Sequence, residues 1–106
     1  MRYVLTSAAK SDLAGAADYY ESVSPGGGGR FLSRYEKAVE RVLSFPRSLP
    51  KYLGKTRICQ IRRSDYAIVY IVIKDRIYVL GVICLIRHPR YWRHRLRTFR
   101  PELEDE

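Results

Sequence analysis

The sequence has little cysteine, one tryptophan, one methionine and no long uninterrupted apolar run. The two cysteines, Cys59 and Cys84, fall inside strand-like segments. They read as reduced, buried, small apolar residues of a cytosolic protein, and nothing asks for a disulfide. A zinc site needs more ligands at recognised spacing, so neither metal nor cofactor is expected. No stretch reaches the roughly 20 apolar residues of a membrane span, and Lys74, Asp75 and Arg76 break the longest runs. Met1–Thr6 is too short an apolar start for a signal peptide, so the expectation is a cytoplasmic protein with no membrane partner. Acids are also scarce where bases are dense. Residues 51–100 hold thirteen lysines and arginines against Asp65 and Asp75, while four of the last five residues are acidic.

What is present suits a single domain over residues 1–106, with the acidic 102–106 tail frayed. A chain of 106 residues that is 46% hydrophobic can build one core without staples. The net charge of +9, concentrated in the second half, implies an anionic partner, either nucleic acid or an acidic protein.

Arg2–Thr6 reads as a first strand, and Thr6 or Ser7 can cap the helix that follows, to about Val23. Ala9, Leu13, Ala16, Ala17 and Tyr20 recur at helical spacing and give a shallow apolar stripe, with Lys10, Asp12, Asp18 and Glu21 opposite. Pro25 and the run Gly26–Gly29 end that helix. The run follows a helix and leads into Arg30-Phe31, so it is a flexible turn and not a phosphate loop. A second helix spans Arg30 to Ser44, with Phe31, Tyr35, Ala38, Val39 and Val42 inward and Arg34, Lys37, Glu40 and Arg41 facing solvent. Pro46 and Pro50 close it. Three strands with short turns follow: Lys55–Arg63, Tyr66–Ile73 and Arg76–Ile86. Tyr66–Ile73 is apolar on both faces, as a central strand requires. Pro89 interrupts the last strand, and Tyr91–Thr98 can form a short helix. The expected fold is α+β: an N-terminal strand, a helical hairpin, a three-stranded antiparallel meander in a small antiparallel sheet, and a short basic C-terminal segment.

That order, with Ala14…Asp18-Tyr19-Tyr20, Phe31…Tyr35-Glu36-Lys37-Ala38-Val39, Pro46, Pro50, Gly54, Tyr66-Ala67-Ile68-Val69-Tyr70 and Arg87-His88-Pro89-Arg90-Tyr91-Trp92, resembles the RelE/ParE superfamily of toxins from bacterial type II toxin–antitoxin modules of the plasmid stabilisation type. RelE-like members cut mRNA on the ribosome, and ParE-like members poison DNA gyrase. Cutting beside a 2′-OH needs a group that takes its proton and cations that stabilise the phosphate. RelE-like enzymes place lysines on the second strand and an arginine after the central-strand tyrosine. Ile58, Gln60 and Ala67 stand at the matching places here. The resemblance therefore implies a ParE-like gyrase inhibitor neutralised by a cognate acidic antitoxin. The alternatives are a ribosome-dependent mRNA endonuclease built from Arg62, Arg87, His88 and Tyr91 with Arg63, or a non-toxic basic nucleic-acid-binding module.

The candidate target-binding residues are Arg62, Arg63, Arg87, Tyr91, Trp92 and Arg93. Arginines 93, 95, 97 and 100 can clamp phosphate or an acidic partner. Trp92 can equally anchor the C-terminal segment on the sheet. His88 and His94 are lone histidines, not metal ligands. The antitoxin, acidic and folding as it binds, is expected along Leu13, Tyr20, Tyr35 and Val39 and at the sheet edge.

Overall fold

The computed structural model describes residues 1–86 and 90–101, and of residues 90–93 the backbone alone. The elements run β1 (Arg2–Leu5), α1 (Ser7–Val23), α2 (Gly27–Ser44), β2 (Arg57–Gln60), β3 (Tyr66–Ile73), β4 (Arg76–Cys84) and α3 (Arg90–Thr98). The sheet order is β1-β4-β3-β2. The β2–β3–β4 meander is antiparallel as expected. β1 joins the edge parallel to β4, Arg2 opposite Arg76, so the sheet is mixed and not wholly antiparallel. A parallel neighbour needs a long crossover, and the helical hairpin with two strands supplies it.

β3 and β4 read as apolar on both faces because both faces are covered. On one face Ile68, Tyr70, Ile77, Val79 and Val82 meet Phe31, Tyr35, Ala38 and Val42 of α2 and Ala9 and Ala16 of α1. On the other, Ala67, Val69, Tyr78, Leu80 and Ile83 form a second cluster, against which Leu96, Phe99, Tyr52 and Leu53 pack. Phe31, Ile61, Ile68 and Tyr70 are fully buried. Each such side chain contributes roughly 1.5–3 kcal/mol by leaving water. Thr6 caps α1, accepting from the Ala9 N–H at 3.2 Å while its hydroxyl donates to the Val79 carbonyl at 2.8 Å. One residue thus starts the helix and ties it to β4.

The glycine run departs from expectation. Only Gly26 is a turn residue, at φ 81°, while Gly27, Gly28 and Gly29 form the first turn of α2. Glycine's poor propensity is overridden by how closely the two helices meet. A Cβ at Gly27 would lie 2.3 Å from the Tyr20 carbonyl oxygen, and one at Gly28 would lie 2.9 Å from that of Ala17. The Glu21 carboxylate accepts from the N–H groups of Gly26 and Gly28, both at 3.1 Å, capping α2 from the preceding helix. Those backbone hydrogen bonds hold the Glu21 carboxyl below its ordinary pKa.

Two strands are shorter than their apolar runs. β2 is confined to Arg57–Gln60 by the Leu53–Thr56 turn and by Arg63 at φ 58°. β4 stops at Cys84, leaving Leu85 and Ile86 exposed, and Cys84 is half-buried where a buried residue was expected. No helix among the described residues is long and apolar enough to cross a membrane.

Candidate functional site

The sheet register decides what lies near what. Tyr66 pairs with Cys84, so the β2–β3 turn carrying Arg62 and Arg63 sits at the end of the sheet where the chain leaves β4. The Leu85 N–H donates to the Asp65 carbonyl at 2.7 Å and fixes that exit beside the turn. Both arginines are exposed. Arg87 and His88 lie outside the described residues. Tyr91, Trp92 and Arg93 belong to the α3 backbone, and their side chains lie outside the described set.

Arg62 meets a group that the periodicity left to solvent. Arg34, Lys37 and Arg41 recur at three- and four-residue spacing on α2, which puts them on one face. Together with Glu40 and Arg62 they line a concavity of about 330 Å³. Arg41 donates to the Gln60 carbonyl, joining α2 to β2. Beneath this wall, burial pushes the Cys59 thiol pKa up, and the nearby Arg41 and Arg62 guanidiniums oppose that shift. A thiol held in this state is a packing group, consistent with its 4% exposure.

At the opposite edge of the sheet, β1 covers β4 only as far as Val79. Beyond it, the Val82 N–H donates to Asp12 Oδ2 at 3.1 Å. The same carboxylate receives both terminal nitrogens of Arg95, at 2.5 and 3.3 Å. Asp12, read from the sequence as solvent-facing, is therefore the residue that docks α3. Arg95, grouped by sequence with a binding fringe, is an internal anchor. The Phe99 ring, 5.5 Å from Tyr78, completes the attachment. Nothing in the pattern of α1 singled out Asp12, because its partners are 70 and 83 residues away.

The residues expected to meet an antitoxin all belong to, or pack against, the helix-side core. Tyr35 is 7% exposed, and its hydroxyl is hydrogen-bonded to that of Tyr3. Burial raises the pKa of both phenols, so they stay neutral. Leu13, Tyr20 and Val39 are half-buried and present an edge to solvent. Tyr20 stacks on Phe31 at 5.0 Å, and its hydroxyl accepts from the Asp65 N–H at 3.2 Å. Ile58 packs against the second apolar cluster, to which the buried Ala67 belongs, and Gln60 is exposed beside them. Among the described residues no three His, Cys, Asp or Glu side chains gather in a way that could hold a metal ion.

With the geometry in place, the chain can be set beside known proteins. The family model for the ParE toxin of the type II toxin–antitoxin system, parDE, matches residues 3–92. A solved structure described as a chromosomal ParDE TA system from P. aeruginosa has a similar fold, at a TM-score of 0.60 and 20% identity, over 80% of this chain and 96% of that one. No curated protein matches the sequence.

Proposed function

The chain belongs to the ParE toxin family of type II toxin–antitoxin systems, and from that premise we propose that it inhibits DNA gyrase and is silenced in the cytoplasm by a cognate acidic antitoxin. One observation carries the choice of gyrase over RNA cutting. The sheet positions at which an RNA-cutting relative needs cations hold Ile58, Gln60 and Ala67, and the first and last of these pack in an apolar cluster. An apolar wall neither takes a proton from a 2′-OH nor stabilises charge on a phosphate. The toxin then acts by occupying a surface, with Arg62 and Arg63 at the sheet end and Arg87, Tyr91, Trp92 and Arg93 as the remaining contact candidates.

The antitoxin reading rests on charge and shape. A strongly basic chain attracts an acidic, folding-on-binding partner. The exposed edges of Leu13, Tyr20 and Val39 offer it apolar contact on the helix side. Tyr35 is enclosed and contributes through the core alone.

Purified chain added to gyrase should block supercoiling and trap cleaved DNA, and an acidic protein encoded beside its gene should reverse both effects. Undiminished supercoiling at micromolar chain would sink the gyrase reading. Codon-specific cuts in ribosome-bound message that vanish in Arg87→Ala would replace it with an mRNA endonuclease. Salt-sensitive nucleic-acid binding with no growth arrest would leave a plain binding module.

A further inference from the structure

We propose that the concavity between α2 and the β2–β3 turn is a phosphate site that takes the phosphodiester backbone of a nucleic acid. The inference does not depend on which enzyme the chain inhibits. It begins with spacing: residues 34, 37 and 41 share one helical face, and the β2–β3 turn brings Arg62 to them across a space of about 330 Å³. The five lining residues among those described are all charged, four of them cationic, with Glu40 the one acid among them. Among the described residues Arg34, Lys37 and Arg62 make no hydrogen bond or ion pair, and Glu40 neutralises none of them. The fourth cation, Arg41, is already positioned by its bond to the Gln60 carbonyl. Like charges converging on a concave wall focus a field that an anion relieves.

The lining selects among anions. One bidentate guanidinium nearly satisfies a carboxylate, whereas a phosphodiester presents further acceptors and a strand offers phosphates in succession. Among the described residues no apolar or aromatic side chain lines the concavity. A peptide would meet there only the aliphatic stems of charged side chains, and a base no aromatic ring among the described residues. The contact is with backbone, so binding is independent of sequence and sensitive to salt.

The test is fluorescence anisotropy of labelled oligothymidylate titrated with the intact chain across a salt series. Arg34→Ala and Arg62→Ala should each weaken binding about tenfold. Each should also lower the slope of log affinity against log salt by about 0.7. Glu40→Gln should tighten binding severalfold, a change that no structural role of Glu40 predicts. Lys10→Ala, at an exposed lysine of α1, should change little. Thermal melts matching the parent show that the variants remain folded. Unchanged affinity in Arg34→Ala and Arg62→Ala, or an equal loss in Lys10→Ala, would overturn the site. So would absent binding of oligothymidylate by the parent, or preference for an oligoglutamate peptide with the same dependence on Arg34 and Arg62.

Discussion

The two long helices use their charges in opposite ways. α1 binds other parts of the chain with two of its three acids. Asp12 receives Val82 and Arg95, and Glu21 receives the first N–H groups of α2. α2 keeps Arg34, Lys37 and Glu40 out of any such pairing among the described residues, and one of its cations, Arg41, reaches a carbonyl. A basic sequence therefore contains arginines of two kinds. Arg95 is part of the framework, while Arg34 and Arg62 are offered to something outside it. Total charge does not separate the two kinds, and the partner of each side chain does.

Substitutions can break or sharpen this contrast. The largest effect is expected at Asp12→Ala, which removes the acceptor of the Val82 N–H and the carboxylate partner of Arg95. Urea unfolding should show a loss of about 2 kcal/mol, less than for full burial because the pair is one-fifth to one-quarter exposed. Asp12→Asn keeps an oxygen for Val82 and loses the charge, so about half that loss is expected. If Asp12→Ala melts like the parent, Asp12 is no framework group.

Acid should expose the role of the second paired carboxylate. The folded Glu21 pKa is depressed, so its contribution is present above the unfolded carboxyl value and is lost as pH falls through the lower folded value. Glu21→Gln should remove this acid-range dependence from thermal melts, and a variant with the parent's profile would contradict the cap. The smallest effect is expected on α2. Arg34→Ala and Arg62→Ala should stay within about 0.5 kcal/mol of the parent. A loss comparable to that of Asp12→Ala would move these cations into the framework and remove the contrast.

How much of this was legible in the sequence follows the range of the forces involved. Thr6 as a cap, the stripe through Ala9, Ala16 and Tyr20, the doubly apolar β3 and the short final helix are set by local periodicity and could be read directly. The glycine run could not, because Gly27 and Gly28 obey a close approach to Tyr20 and Ala17 across the hairpin and not their own propensity. Nor could the direction of β1, which depends on where α1 leaves the sheet. The apolar run through Leu85 and Ile86 overstates β4, since those side chains stay in solvent. At the candidate site, the cations of α2 were visible as a spaced set. Their meeting with Arg62 was not, because a turn far along the chain delivers it.

The parallel pairing of Arg2–Leu5 with Arg76–Val79 also constrains how the protein is made. The first strand to be synthesised waits for the last, and β4 stands between β1 and β3 as neighbour to both. Pairing so distant in sequence is slow to form and belongs late in folding. A nascent chain interrupted before β4 holds a helical hairpin and an unfinished sheet that lacks the strand joining β1 to β3. A copy that ends before β4 therefore cannot bring β1 into the sheet.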